Sequence, residues 1–182
     1  MKPSIVGAAI VLVLALGAAL SGQQKTESGC DFTLSAVRVA PSITGPEEVV
    51  AIAHVVDQPD SPIKIVAANF GNSFVSVSNE QFTQQLDCTL RVRNQSDRAV
   101  HSFSTITTVM AGDVRPYVGS GFGVDSDLPQ GRSLMPGAEL EIKACGGRGD
   151  GGAPGNRVRL LVAIGSVSLD GCLYVPSRRF AF

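Results

Sequence analysis

Histidine is the side chain best suited to proton transfer and metal binding near neutral pH, and this chain holds two, His54 and His101. Each lies alone in a strand-like segment. Neither belongs to an H-x-H or H-E-x-x-H pattern that would place two zinc ligands on one element. The sequence also lacks the G-x-S-x-G motif of a nucleophile elbow. We therefore expect two structural histidines, no bound metal or cofactor, and no enzymatic activity.

The four cysteines are the second group with reactive chemistry, and all of them follow the apolar N-terminal run: Cys30, Cys88, Cys145 and Cys172. A structural zinc site built from cysteines usually contains short C-x-x-C pairs, whereas these four are widely spaced. An even number of cysteines in an exported chain favours disulfides over free thiols. The sequence therefore predicts two disulfides.

The glycine-rich run CGGRGDGGAPGN, residues 145–156, is the third candidate. It contains a G-x-G-x-x-G match at residues 147–152, but that fingerprint binds a pyrophosphate only where a helix N-terminus follows. A segment with strand character follows here. The GGRGD sequence is similar to half of a calcium-binding β-helix repeat, but a single copy cannot form the stacked site.

The same run holds the tripeptide Arg148, Gly149 and Asp150, which resembles the integrin-binding signal of animal matrix proteins. Glycine loses the most backbone entropy on ordering, and the run offers no large apolar side chain to offset that cost. We therefore predict that residues 146–155 form a mobile, exposed connection between two strands. The tripeptide is a candidate recognition loop within it.

The N-terminus has the layout of a secretory signal peptide. Lys2 precedes 16 apolar residues from Ile5 to Leu20, and Ala19-Leu20-Ser21 is a plausible cleavage site. Because about 20 apolar residues are needed to span a bilayer, an uncleaved anchor is the less favoured alternative. We predict a signal peptide at residues 1–22 and a mature chain without a membrane span, in the periplasm or secreted from a bacterial cell.

The formal net charge of the chain is −1 at pH 7. A near-neutral chain has no electrostatic footprint for nucleic acid or for an acidic membrane surface. The partner expected from the sequence is therefore an unidentified protein or envelope component. About 160 residues remain after signal removal, enough for one domain with its own core.

Alternation of apolar and polar residues dominates the mature chain. In QLDCTLRVR, residues 85–93, every second residue from Leu86 onward is apolar or cysteine, as in a half-buried strand. Further strands are predicted at 63–69, 73–78, 99–110, 138–144, 157–164 and 172–176. The segment 46–56 mixes helix and strand signals and leans to strand, whereas 22–33 and 111–133 show no sustained period and are predicted as coil.

Turn residues separate these strands. Asp170-Gly171 predicts a tight type I′ hairpin before the last strand, since both central residues of such a turn need positive φ. Asn94-Gln95-Ser96 is formally a glycosylation acceptor but is better explained as a turn. Seven or so short strands with turns between them favour an all-β sandwich.

Two stretches, LRVRNQSDRAV and LMPGAELEI, resemble bacterial extracytoplasmic immunoglobulin-like or fibronectin-III-like domains: a strand, an N-x-S turn, a second strand, then L-x-P-G before a later strand. The resemblance covers residues 60–176 and carries no catalytic residues. It implies an antiparallel sandwich with 85–93 as strand B, 138–144 as E, 157–167 as F and 172–176 as G. Unlike antibody domains, the chain has no Trp and no cysteine in strand F.

The resemblance also implies a disulfide pairing. If strands B and E are antiparallel neighbours, Cys88 lies beside Cys145, and Cys30 is left to join Cys172. Strict alternation points Cys88 inward and Cys145 outward, so this pairing requires a bulge or a strand end near Cys145.

The predicted organisation is a signal peptide at 1–22, an N-terminal extension at 23–60 and an immunoglobulin-like β-sandwich at 61–182. The expected function is non-enzymatic: binding, scaffolding or envelope interactions. One alternative is an exported inhibitor module for another protein, such as a protease. Another is a small outer-membrane β-barrel, because the chain ends in alternating apolar residues and Phe182.

Overall fold

The computed structural model describes residues 30–35, 40–111, 122–128 and 132–178. These residues form ten strands, one short α-helix and one 3-10 helix at Pro154–Asn156. In chain order the elements are β1 Ser42–Thr44, α1 Glu47–Val50, β2 Ala53–Val55, β3 Ile63–Asn69, β4 Phe74–Ser78, β5 Gln81–Asn94, β6 Val100–Ala111, β7 Phe122–Asp127, β8 Glu139–Gly152, β9 Val158–Leu169 and β10 Cys172–Tyr174. The predicted all-β sandwich is confirmed.

The first sheet is organised around β5, the strand that the sequence marked most clearly. β8 pairs antiparallel along one edge of β5. On the other edge, β3 and β4 lie end to end, each antiparallel to one half of β5. β1 joins β3 in parallel.

The second sheet is organised in the same way around β9. β6 pairs antiparallel with β9 and carries β7 on its far side. On the other edge of β9, β10 pairs antiparallel and β2 pairs parallel. β5 and β8 thus lie in one sheet and β9 and β10 in the other, which is the placement that the resemblance implied for strands B, E, F and G. The immunoglobulin-like type itself remains a prediction.

The core lies between the two sheets and follows from the period-2 pattern. Along β5 the apolar residues from Phe82 to Val92 are buried while their neighbours are exposed or half-buried. Leu160 and Ile164 face them from β9 within one apolar cluster. Phe32 and Val49 belong to the same cluster, and β1 and β2 each join a sheet, so the described part of the predicted N-terminal extension is integral to the sandwich.

The ambiguous segment 46–56 contains both kinds of structure, so the lean to strand was wrong for its first half. Pro46 occupies the N-cap position of α1, and its carbonyl accepts the first helical hydrogen bond, from the N–H of Val50, at 2.9 Å. Proline suits a helix start, and Glu47 and Glu48 complement the helix dipole there. The β-branched end of the segment then forms β2.

The prediction of coil at 111–133 was also wrong in part, because Phe122–Asp127 forms β7 and pairs with β6. An edge strand of this kind is held by main-chain hydrogen bonds, which leave no apolar period in the sequence. The signal segment and most of the predicted coil at 22–33 lie outside the described residues.

The predicted turn at Asn94 is a buried hydrogen-bonded unit. The Asn94 side chain is fully buried, and its Nδ2 donates to the carbonyls of Arg98 at 2.7 Å and Leu134 at 2.8 Å. Its Oδ1 accepts from the hydroxyl of Ser96 at 2.7 Å. The amide nitrogen that a glycan would need is therefore occupied by the fold.

Two hairpins show what the turn signals did and did not reveal. Asp170 and Gly171 do connect β9 to β10, but only Gly171 has a positive φ, 75°, so the turn is not type I′. Both central residues of the β4–β5 turn, Asn79 and Glu80, have positive φ, 50° and 59°. Asn156 and Ala153 hold Glu80 in place through its main-chain N–H and carbonyl.

Candidate functional site on the first sheet

Most of the glycine-rich run is a strand, so the prediction of a mobile loop at 146–155 was wrong for residues 146–152. Residues 146–152 form the second half of β8 and pair with β5 in continuous register, from Asp87↔Gly146 to Gln81↔Gly152. The candidate recognition residues Arg148, Gly149 and Asp150 lie in the middle of this ladder. They are held in an extended conformation and not presented on a loop.

The ordering of so many glycines has a packing cause. Gly149 and Gly151 face the sheet interior, where side chains of β5 lie over them. A Cβ on Gly149 would be 3.1 Å from Nε2 of Gln84, and one on Gly151 would be 2.7 Å from Cε1 of Phe82. The neighbouring strand therefore supplies the apolar contact that the run itself lacks, and the ladder hydrogen bonds offset the entropy cost of the glycines.

A disulfide between Cys88 and Cys145 marks the start of this half of β8, with a Cα–Cα distance of 5.1 Å. The β5–β8 register shifts between Cys88 and Thr89, which leaves Ala144 as an extra residue. This is the bulge that the predicted pairing required. The second disulfide joins Cys30 to Cys172, so the pairing is the one that the resemblance implied.

On the solvent side of the first sheet, Phe74, Gln85 and Arg148 lie side by side on β4, β5 and β8. Arg148 Nε donates to Gln85 Oε1 at 2.9 Å. Phe74 is 42% exposed, which is unusual for a phenylalanine on a sheet. In the next row Asp150 lies beside Thr83. We call the surface formed by Phe74, Thr83, Gln85, Arg148 and Asp150 the Arg148 face.

The Arg148 face encloses a shallow hollow of about 490 Å³. Elsewhere on the same side of the sheet most charges are paired: Arg93 and Arg91 both pair with Glu139, and Lys143 pairs with Asp87 at 3.4 Å. Within the part of the chain that the structure describes, Glu141 forms no ion pair within 4 Å but lies opposite Arg91 in the β5–β8 register. Among the described residues Asp150 forms no ion pair, and Arg148 is bonded to the neutral Gln85. The face thus offers an exposed ring, a cation and an anion to a partner.

A second cleft, of about 400 Å³, opens between β2 and β3 and is mainly apolar. Val55, Val56, Ile63 and Ile65 line it, and Lys64 pairs with Asp57 at 3.8 Å on its wall. Its polar side chains already have partners, because Lys64 pairs with Asp57 and Gln58 bonds the main chain of Ile164 and Arg178. The cleft therefore does not specify a ligand chemistry.

A polar chain that sequence reasoning missed connects Ser133, His101 and Asp170. The Ser133 hydroxyl lies 2.8 Å from His101 Nδ1, and His101 Nε2 bonds the Asp170 carboxylate. The hydrogen bond from His101, with Arg98 nearby, holds the pKa of Asp170 below its usual range. These side chains come together only because β6 lies beside β9 and the isolated bridge Val100↔Leu134 lies next to them, so no sequence spacing could reveal the chain.

Such a chain can pass a proton from a serine hydroxyl to imidazole, the first requirement of nucleophilic catalysis. Here the three hydrogen-bonded side chains are open to solvent, since those of His101 and Asp170 are 46% and 56% exposed. None of its three residues lines either of the clefts described above. The hydrogen bond between His101 and Asp170 joins the β9–β10 turn to β6.

No group of three or more His, Cys, Asp or Glu side chains placed to hold a metal ion occurs in residues 30–35, 40–111, 122–128 or 132–178. Within the same ranges no helix is both long enough and apolar enough to cross a membrane. No protein-family model, curated protein or solved structure matches the chain.

Proposed function

We propose that this chain is an exported, non-enzymatic β-sandwich protein of the immunoglobulin-like type that binds a protein or an envelope component through the Arg148 face. The observation that carries the proposal is the exposed ring of Phe74 beside Arg148 and beside Asp150, which forms no ion pair with any described residue. Aromatic residues and arginine are the side chains most enriched where proteins bind one another.

Three further observations support the proposal. The face lies on three hydrogen-bonded strands, with the Cys88–Cys145 disulfide close by, so a partner would meet a preorganised surface. Two disulfides are typical of an oxidising compartment, in agreement with the signal-like N-terminus. The strand orders β3–β5–β8 and β10–β9–β6–β7 support the immunoglobulin-like type.

The test is a comparison of two triple variants of the mature chain. The first replaces Phe74, Arg148 and Asp150 with serine. The control also introduces three serines, at Arg91, Glu141 and Lys143, which lie on the same side of the sheet outside the Arg148 face. Each protein is cross-linked to the extracytoplasmic fraction of the host, and any partner is then purified for titration calorimetry.

We expect the control to bind the purified partner like the natural chain. The Arg148-face variant should bind at least tenfold more weakly, because aromatic and arginine hot spots each contribute about 2 kcal/mol or more and tenfold corresponds to about 1.4 kcal/mol. Equal affinity of all three proteins would contradict the proposed surface.

One observation, the Ser133–His101–Asp170 chain, favours a second candidate function, the hydrolysis of activated esters. In that reaction Ser133 Oγ would attack the carbonyl carbon while His101 takes its proton and passes it to the leaving alcohol. A water molecule that gives a proton to His101 would then attack the Ser133 ester, releasing the acid and returning the proton to Ser133 Oγ. Labelling by a fluorophosphonate that is lost in Ser133→Ala would support this function. No labelling of the natural chain would exclude it.

A further inference from the structure

The far edge of β8 is unpaired in the described structure, and β7 of the other sheet approaches the strand without pairing with it. β5 pairs with one side of β8 along thirteen register positions, and among the described residues no other strand pairs with β8. An open strand edge presents main-chain N–H and C=O groups that can accept another strand. At fourteen residues β8 is also as long as any strand described here, and it contains no proline.

The sequence of this edge is self-complementary. Residues 146–152 read GGRGDGG, which is the same in both directions around Gly149 except that Arg148 is exchanged for Asp150. When two identical strands pair antiparallel about Gly149, residues at equal distances on either side of it lie opposite each other. Arg148 of each copy then lies opposite Asp150 of the other copy, so two oppositely charged pairs form across the edge.

The two charges also select this register. Pairing centred on Arg148 would place two arginines opposite each other, and pairing centred on Asp150 would place two aspartates together. Glycine-rich strands specify register weakly, so direct cross-strand charge pairs are the available means of specification. The remaining positions from Gly146 to Gly152 carry no side chain and cannot obstruct a second copy.

The side chains are available for this contact. Arg148 and Asp150 are exposed on the solvent side of the sheet. In the structure Arg148 Nε donates to Gln85 on β5, away from the unpaired edge. The dimer therefore requires the exposed Arg148 side chain to turn toward the second copy, where its Nη groups can bind a carboxylate.

We propose that two copies of this chain associate through the open edge of β8, antiparallel and centred on Gly149, so that their first sheets become one continuous sheet. The contact is isologous, as twofold symmetry requires. It does not rest on the proposed function, because it uses the main-chain edge of β8 and can be measured without any other partner.

The test is charge exchange, read by sedimentation equilibrium of the purified mature chain over a wide concentration range. Arg148→Asp places two pairs of aspartates opposite each other, and Asp150→Arg places two pairs of arginines. Each single variant should dimerise at least tenfold more weakly, since two attractive pairs become repulsive. The double variant Arg148→Asp/Asp150→Arg should dimerise like the natural chain.

A mixture of the two single variants provides the sharpest result. Each alone should be mainly monomeric, yet together they should form a heterodimer, because every aspartate across the edge then lies opposite an arginine. The matched control is Glu141→Arg, a charge reversal on β8 outside the paired segment. A natural chain that stays monomeric at all concentrations, or single variants that dimerise as well as the control, would overturn the proposal.

Discussion

The ring of Phe82 covers Gly151 across the β5–β8 ladder. The two residues are paired in register, and a Cβ on Gly151 would lie 2.7 Å from one ring carbon and 3.0 Å from the next. Phe82 is 2% exposed, so its ring is part of the core and has little room to move. An aromatic ring over a glycine of the neighbouring strand is a recognised way to stabilise glycine in a sheet.

We therefore expect Gly151→Ala to lower the free energy of unfolding by about 1–3 kcal/mol, the usual cost of overpacking a core. Gly152→Ala is the matched control, since a Cβ there meets nothing within 4 Å. It should leave stability unchanged or raise it slightly, because alanine reduces the entropy of the unfolded chain. Urea unfolding at low protein concentration measures both. Equal stabilities of the two variants would contradict the packing of Phe82 on Gly151.

This contact shows why the glycine-rich run was mispredicted. Local reasoning considers only the side chains within a run, and residues 146–152 offer none that are apolar. The ordering comes from Phe82 and Gln84 on another strand, which only the register of β8 against β5 brings into place. The alternation in β5, by contrast, was visible in sequence because this strand has one buried face. β9 is buried on both faces from Leu160 to Gly165 and alternates clearly only at its two ends.

The candidate sites also differ in whether the sequence alone reveals them. The cysteine pairing could be predicted because it follows from which strands are neighbours, and the bulge at Ala144 explains its one geometric conflict. The Ser133–His101–Asp170 chain and the row from Phe74 to Arg148 could not be predicted, because each joins residues from three separate parts of the chain. Arg148 and Asp150 were singled out correctly as exposed residues but were assigned to a loop.

The two disulfides should each contribute about 2–5 kcal/mol to stability. Cys30 and Cys172 are 142 residues apart and Cys88 and Cys145 are 57 apart, so chain entropy alone favours the first bond by about 0.8 kcal/mol. Urea unfolding of two double variants, Cys30→Ala/Cys172→Ala and Cys88→Ala/Cys145→Ala, measures these contributions. Peptide mapping without reduction should find the same two links, and a Cys88–Cys30 peptide would exclude this pairing.

Export should remove the N-terminal segment and keep Cys30. The apolar run ends at Leu20, and Cys30 is already bonded to Cys172 in the core, so cleavage must fall before it. Intact-mass measurement of the exported protein should show a first residue between Ala18 and Gln24. A mature species that retains Met1 would show that the segment is an anchor.

The carboxylate of Asp60 ties the C-terminal part of the chain to the loop after β2. Its Oδ2 accepts from the Tyr174 hydroxyl and from the N–H of Ser177, both at 2.7 Å. Burial by itself opposes ionisation of Asp60, but these hydrogen bonds outweigh it and hold the pKa below its usual range. Burial, together with the Asp60 carboxylate, raises the pKa of Tyr174 well above its usual value.

Tyr174→Phe isolates this interaction, because phenylalanine retains the edge-on contact with Phe32, whose ring centroid lies 5.0 Å away. We expect this variant to lose about 1–3 kcal/mol of unfolding free energy at neutral pH, as for other buried hydrogen bonds to a charged group.

The size of this loss should depend on pH. A depressed carboxyl pKa stabilises the fold above about pH 4 and ceases to do so as the pH falls through the folded-state value. The stability difference between the two proteins should therefore narrow in acid. A raised tyrosine pKa stabilises the fold below about pH 10, so the natural chain alone should lose this contribution at higher pH. Thermal unfolding of both proteins across the pH range measures this difference, and a gap that stays constant from acid to alkali would show that Tyr174 does not bond an ionised Asp60.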